Sequence, residues 1–148
     1  MKTIFAILFL LCVLLMKTNA DEFKIISISE YPYSYNVVST YSGQTVVTKW
    51  ENGIAIKWTN VGFSGYDVYV YYSGKTSNDR YLLDTKTVSS RKCLKKTCST
   101  KLLRRDENGL PEGGLALSSG QYKFKVCQIN DSTWCTQIKT FVYDEREE

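Results

Sequence analysis

The segment YDVYVYY, residues 66–72, decides the fold class because its side chains alternate strictly in position. Tyrosine or valine occupies every even position, and the odd positions are Asp67, Tyr69 and Tyr71. Successive side chains of a β-strand point to opposite faces of its sheet, so a period of two indicates a strand. The segment therefore predicts a strand of an antiparallel sheet that has one solvated face.

Short strand-like segments recur along most of the chain. Six further ones are residues 23–29, 45–50, 54–59, 80–88, 121–129 and 133–143. Pro32 lies inside residues 31–39 and predicts an edge strand or a bend there. Asn52-Gly53 predicts a tight turn, and residues 89–114 are predicted to be irregular. Seven or eight short strands without a helical pattern predict an all-β antiparallel sandwich.

Residues 1–20 have the features of a secretory signal peptide. Lys2 precedes the apolar residues 4–16, and the segment ends at Ala20. The alternative is a membrane anchor, but an apolar helix of that length spans only about 20 Å of a hydrocarbon core about 30 Å thick. The sequence thus predicts a secreted, extracellular protein without a transmembrane segment. Residues 21–148 would form a single domain with a short acidic C-terminal tail.

The charged residues exclude several classes of function. The chain contains no histidine, which removes Ser-His-Asp and Cys-His catalysis and histidine-ligated metal sites. Loss of Lys2 and Lys17 with the signal peptide lowers the net charge from +4 to +2, so nucleic acid is not expected as a partner. Carboxyl groups such as those of Asp106 and Glu107 fall in predicted turns, without the burial that acid catalysis needs. A non-enzymatic protein without metal or cofactor is predicted.

Four cysteines remain after Cys12 leaves with the signal peptide, and an even number in a small secreted chain favours disulfides over metal binding. Of the three pairings, the local one joins Cys93 to Cys98 and Cys127 to Cys135. A competing pairing joins Cys93 to Cys127 and Cys98 to Cys135, which would tie residues 93–98 to the last hairpin. The local pairing is favoured, and the competing one stays open.

The local pairing agrees with a register for the last two strands. With the last two cysteines opposite each other, Phe124 would face Ile138 and Tyr122 would face Thr140. The apolar side chains then share one face and the cysteines the other, an arrangement that a slip of one residue would destroy.

Three features resemble immunoglobulin-like and fibronectin type III-like domains. They are Trp58 at the end of a strand, the tyrosine-rich residues 66–72, and LSSGQYKFKV at residues 117–126. The resemblance implies an immunoglobulin-like sandwich, in which Trp58 lies in the core and Tyr122 forms a tyrosine corner.

A narrower resemblance is to the N-terminal immunoglobulin-like domain of fungal cell-wall synthesis proteins involved in β-glucan assembly. The motifs that carry it are WENG at residues 50–53, IKWT at residues 56–59 and SGQY at residues 119–122. It implies a non-catalytic module that binds or organises glycans of a cell wall or extracellular matrix. The alternative is an extracellular protein-interaction domain of the adhesion, receptor-like or effector kind.

The aromatic residues offer a way to bind sugar rings. The candidates for stacking are Tyr31, Tyr33, Tyr35, Tyr69 and Tyr71. Aromatic faces pack on apolar sugar faces, while the hydroxyl groups take hydrogen bonds. The competing interpretation is that strands are rich in tyrosine in any case.

A basic segment offers a second candidate site, for an anionic polysaccharide or a phospholipid headgroup. Its cations are Arg91, Lys92, Lys95, Lys96, Lys101, Arg104 and Arg105. The competing interpretation is a solvated loop whose charge Asp106 and Glu107 offset. Finally, Asn130-Asp131-Ser132 predicts an N-glycosylation site at Asn130 in the last hairpin loop.

Overall fold

A computed structural model describes residues 22–39, 45–73, 81–114 and 116–145. The predicted signal peptide, residues 1–20, lies outside the described residues, as do the last three residues of the acidic tail.

Within the described residues the chain forms eight strands and two short 3-10 helices. The strands are β1 (Ile25–Ser39), β2 (Thr45–Thr59), β3 (Gly65–Ser73), β4 (Tyr81–Ser89), β5 (Thr97–Leu102), β6 (Gly120–Gln128), β7 (Asp131–Cys135) and β8 (Lys139–Tyr143). The 3-10 helices are Ser90–Lys92 and Glu112–Gly114.

The strands form two sheets, and every pairing is antiparallel. One sheet has the order β1-β2-β5, and the other has the order β4-β3-β6-β7, with β8 also paired to β6. The chain enters the second sheet with β3 and β4, returns to the first with β5, and ends in the second. This confirms the predicted all-β antiparallel sandwich.

The core lies between the sheets, where the inward side chains of β2, β3 and β6 meet. Trp58 is fully buried at the centre of this core, and its ring centroid lies 5.7 Å from that of Tyr66. The even positions of β3 point inward, since Tyr66, Val68 and Val70 are all fully buried. The predicted core position of Trp58 is confirmed.

Tyr122 ties the start of β6 to the chain that precedes it. Its hydroxyl donates to the carbonyl oxygen of Ser118 at 2.7 Å and accepts from the Ser118 N–H at 2.9 Å. The ring is fully buried, so these bonds satisfy a polar atom inside the core. The resemblance implies a contact of this kind for Tyr122.

The predicted turn at Asn52-Gly53 is wrong. β2 runs through both residues, and they pair with Pro32 and Tyr31 of β1. A side chain at position 53 would bring its Cβ within 2.9 Å of the Tyr31 ring, so glycine serves here to admit a neighbouring ring. β1 is an edge strand, as Pro32 predicts.

Residues 89–114 are less irregular than predicted, because they contain β5. This strand pairs with β2 and places Cys98 opposite Trp58 and Leu102 opposite Ile54. Leu102 and Cys98 are buried, so β5 completes the core face of the first sheet. Its alternation is short, and the surrounding basic residues concealed it.

The predicted register of the last two strands holds only at the cysteines. Cys127 lies opposite Cys135, but β8 is shifted by one residue from the prediction. Phe124 therefore lies opposite Lys139, and Tyr122 opposite Phe141. Ile138, predicted to face Phe124, is exposed between the two strands.

A threonine causes this shift. The Thr136 N–H donates to the carbonyl oxygen of Val126 at 2.8 Å, and its Oγ1 accepts from the Val126 N–H at 3.1 Å. A buried side chain thus replaces a main-chain partner, and residues 136–138 leave the ladder. A side chain that takes the place of a main-chain hydrogen-bond partner is not visible in the alternation of apolar and polar residues.

The structure contains two disulfides, Cys93–Cys98 and Cys127–Cys135. These are the pairs of the local pairing, which the register of the last two strands favours. The first closes the loop that leads into β5, and the second joins β6 to β7.

Candidate functional site

The hairpin of β1 and β2 extends beyond the rest of its sheet. β5 pairs with β2 only from Ile54 to Thr59. Beyond that point residues 31–39 pair with residues 45–53, and the described residues supply no third strand. We call this extension the arm. The face of β2 that carries Ile54 in the core continues along the arm to Asn52 and Trp50, where the second sheet no longer covers it.

A cleft of about 1260 Å³ opens beside the arm. The arm contributes Glu30, Pro32, Trp50, Glu51 and Asn52 to its lining. The other lining residues are Arg105, Pro111, residues 116–118, and Tyr143, Asp144 and Glu145 at the end of β8. Trp50 is 72% exposed, so its indole presents a broad apolar surface to a ligand.

Glu51 and Arg105 line the cleft, and they belong to a hydrogen-bonded network with Tyr33 and Tyr35 on the face of the arm opposite Trp50. The Glu51 carboxylate accepts from the Tyr35 hydroxyl at 2.6 Å, from the Tyr33 hydroxyl at 3.2 Å and from Nε of Arg105 at 2.9 Å. Burial raises the pKa of Glu51, but the hydrogen bonds from Tyr35, Arg105 and Tyr33 outweigh it and lower the pKa overall. Glu51 is therefore an ionised acceptor at neutral pH, and it has no proton to donate.

Arg105 is fixed by contacts other than Glu51. Its N–H donates to the Tyr33 hydroxyl at 3.0 Å, and Nη1 donates to the carbonyl oxygen of Gly109 at 3.1 Å. Its guanidinium carbon lies 5.8 Å from the centroid of the Tyr35 ring. The backbone of Gly109 has φ of 77°, and a Cβ there would meet the same ring at 3.2 Å. The turn after β5 thus packs directly on the tyrosines of β1.

The end of β8 brings a second set of polar groups to the cleft. Asn52 donates from Nδ2 to Glu30 at 3.4 Å. Burial raises the pKa of Tyr143, and the carboxylates of Glu145 and Glu30 raise it further. The Tyr143 hydroxyl therefore stays protonated at neutral pH and can donate a hydrogen bond.

The charges in the cleft are mostly negative. Its carboxylates are Glu30, Glu51, Asp144 and Glu145, and its one cation among the lining residues is Arg105. Because Arg105 already pairs with Glu51 at 2.9 Å, it leaves no positive charge for a ligand. The cleft therefore suits a neutral ligand with many hydroxyl groups better than an anionic one.

Three of the predicted stacking residues lie on one face of β1, but they do not form an open platform. The ring centroids of Tyr31 and Tyr33 are 5.9 Å apart, and those of Tyr33 and Tyr35 are 6.1 Å apart. Tyr35 is only 8% exposed, and Nζ of Lys101 lies 4.7 Å from the Tyr31 ring centroid. The structure brings these three rings together, with the chain that follows β5 packed against them.

The other two predicted stacking residues lie elsewhere. Tyr69 and Tyr71 are half-buried on the outward face of β3, in the five-stranded sheet. Nζ of Lys125 lies 5.1 Å from the Tyr69 ring centroid and 5.9 Å from that of Tyr71. Neither tyrosine lines the cleft.

The basic segment is divided between two parts of the molecule. Arg104 pairs with Glu112 at 2.7 Å, and Arg105 pairs with Glu51 beside the cleft. The cations at the other end of the sandwich are Arg91, Lys92, Lys95 and Lys96. The seven cations predicted as one anion site therefore do not form a single cluster.

Asn130 is exposed in the turn between β6 and β7, where a glycan could be attached. Its backbone has φ of 57°, a conformation that asparagine tolerates.

Trp50 is a candidate binding residue that the sequence pattern did not identify. The even positions from Trp50 through Asn52 to Trp58 form one continuous face, and Trp50 belongs to it. Reading Asn52-Gly53 as a turn divides this face in two, so the tryptophan no longer follows the core positions of the same strand.

Within the described residues, no helix has the length and apolar character that crossing a bilayer requires. The same residues contain no group of three or more acidic or cysteine side chains placed to hold a metal ion. Comparisons with protein-family models, curated proteins and solved structures find no match for this chain.

Proposed function

We propose that this protein is a secreted, non-catalytic module that binds a neutral glycan in the cleft beside the arm. The observation that carries the proposal is Trp50, an indole that is 72% exposed among planar polar side chains. Sugars present an apolar ring face and a rim of hydroxyl groups. An exposed aromatic ring suits the face, and the amide, carboxylate and phenol groups around it suit the rim.

The chemistry of the cleft supports binding without catalysis. Glycoside hydrolysis needs one carboxyl group with a raised pKa to protonate the leaving oxygen and a second, ionised carboxylate. The best-ordered carboxylate, Glu51, has a lowered pKa and accepts three hydrogen bonds. Its role is to fix Arg105 and the tyrosines of β1, which shapes the cleft in advance of a ligand.

Two further lines of support concern location and ligand class. The two disulfides are compatible with an oxidising, extracellular location. The tyrosine corner at Tyr122 and the buried Trp58 agree with the immunoglobulin-like and fibronectin type III-like resemblance. The narrower resemblance to fungal cell-wall domains makes β-glucans the first ligands to test.

A test compares two exposed tryptophans. Trp134 on β7 is 62% exposed and does not line the cleft, so it is a matched control for Trp50. Binding of the purified chain to an array of neutral glycans, including β-glucans and chitin fragments, would identify a ligand. Trp50→Ala should then weaken binding about tenfold or more, which corresponds to about 1.4 kcal/mol, and Trp134→Ala should leave it unchanged. Equal losses from both variants, or no binding to any glycan, would contradict the proposal.

A second candidate function is protein interaction, favoured by the tip of the arm. Val38 and Val46 lie opposite each other there, and both are more than half exposed. Paired exposed valines on a projecting hairpin suit contact with another protein. The test is whether the double variant Val38→Ser with Val46→Ser loses the capture of a specific extracellular protein. If it does, and if the unaltered chain binds no glycan, protein interaction replaces glycan binding as the proposed function.

A further inference from the structure

The loop between the two cysteines of the first disulfide is held in one conformation. The Cys93–Cys98 bond closes it, and the Leu94 N–H donates to the Thr97 carbonyl oxygen across it at 2.8 Å. The Cys93 N–H also donates to the Ser90 carbonyl oxygen at 3.0 Å. We call residues 93–98 the disulfide loop.

Asn60, from the connection between β2 and β3, holds the main chain of this loop from one side. Its Nδ2 donates to the carbonyl oxygens of Leu94 at 3.2 Å and Lys95 at 3.5 Å, and its N–H donates to that of Lys96 at 2.9 Å. With its carbonyl groups engaged by Asn60, the loop exposes its side chains to solvent. Leu94 is 73% exposed at its tip.

Four cations flank this leucine in the sequence. Arg91, Lys92, Lys95 and Lys96 are all exposed, and none of the four forms an ion pair with another described residue. The loop therefore presents an exposed apolar side chain close in the chain to four exposed cations.

Few acidic groups oppose these cations at this end of the sandwich. Glu22 is exposed beside the start of β1, where its carbonyl oxygen accepts from the Thr59 hydroxyl. The Asp131 carboxylate at the start of β7 already accepts from the Thr133 N–H at 3.0 Å and from its hydroxyl at 2.5 Å. Lys24 adds a further exposed cation next to Thr59. This end of the sandwich therefore carries a net positive charge. The cleft, whose lining is mostly negative, lies at the other end.

We propose that the disulfide loop docks this protein on an anionic lipid bilayer. Leu94 enters the interfacial region, and the four cations contact phosphate and carboxylate groups of the lipids. The exposed tip of the loop suits a flat surface, whereas a linear polyanion is better bound by a groove or a stripe of cations. An exposed leucine also adds nothing to binding a soluble polyanion, but it gains from leaving water for lipid. This site is independent of the proposed glycan cleft.

The first test uses sedimentation of phosphatidylcholine vesicles with and without phosphatidylserine. The full chain with intact disulfides should sediment only with the phosphatidylserine vesicles. A cation near such a surface strengthens binding about fivefold, so Lys95→Gln with Lys96→Gln should weaken it about 25-fold. Lys123→Gln with Lys125→Gln makes the same charge change on the outward face of β6 and should leave it nearly unchanged.

The second test separates a lipid surface from a soluble polyanion. Leu94→Ser should weaken vesicle binding at least severalfold while leaving any binding to a soluble sulfated polysaccharide unchanged. The proposal is overturned if phosphatidylserine does not increase binding. It is also overturned if the two double lysine variants lose vesicle binding to the same extent. Vesicle binding that is unaffected by Leu94→Ser would overturn it too, and would favour a site for a free polyanion.

Discussion

Replacing Tyr122 with phenylalanine should destabilise the fold by about 1–3 kcal/mol, because it removes two hydrogen bonds that each contribute about 0.5–1.5 kcal/mol net. The Tyr122 hydroxyl donates to the Ser118 carbonyl oxygen at 2.7 Å and accepts from the Ser118 N–H at 2.9 Å. In the variant, both main-chain groups of Ser118 lose that partner beside a fully buried ring. The ring itself remains, so the change creates almost no cavity.

Urea unfolding followed by tryptophan fluorescence would measure this loss, since Trp58 is fully buried in the folded state. Tyr69→Phe is the matched control, because it also removes one tyrosine hydroxyl, but on the outward face of β3. The unfolding midpoint should fall for Tyr122→Phe, with an unchanged dependence on urea, and stay constant for Tyr69→Phe. If the free energies of unfolding of the two variants differ by less than about 0.5 kcal/mol, these hydrogen bonds of Tyr122 do not stabilise the fold.

Two further predictions concern the core and the network at the cleft. Trp58→Ala removes the largest fully buried side chain of the described residues and should cost about 3–5 kcal/mol, seen as a failure to fold or a much lower melting temperature; a normal melting curve would contradict the core assignment. Burial, with a contribution from Glu51, raises the pKa of Tyr33 from 10.0 to about 12. As the pH rises, the Tyr33 hydroxyl loses its proton in the unfolded chain before it does so in the folded protein. The contribution of Tyr33 to the free energy of unfolding is therefore complete below pH 10.0 and is lost as the pH rises towards 12. Tyr33→Phe should reduce that alkaline loss of stability, and an unchanged pH profile would exclude Tyr33 as a cause.

The alternation of side chains predicted the fold class because it reports directly on burial. The core positions of β3 and β6 follow a period of two without interruption, and the buried Trp58 continues it in β2. Features that depend on a single side chain left no such pattern. The hydrogen bonds of Thr136 to Val126, which shift β8 by one residue, are one example.

The candidate site was harder to predict because it depends on contacts between distant parts of the chain. Glu51 and Arg105 are 54 positions apart, and nothing near either residue shows that they pair. Tyr33 and Tyr35 were identified from their spacing as residues for sugar stacking. Their spacing correctly places them on one face, but it does not show that the turn after β5 packs on that face.

Gly53 connects the error in the fold prediction to the error in the site prediction. An Asn-Gly pair is compatible with a tight turn, where glycine provides a positive φ, and with a strand, where it leaves room for a neighbouring side chain. The partner decides between them, and here it is the ring of Tyr31, which would lie 2.9 Å from a Cβ at position 53. Because β2 continues past this point, Trp50 is carried beyond the second sheet instead of turning back towards the core. The exposure of Trp50, and with it the apolar surface of the cleft, therefore depends on a glycine that contacts no ligand.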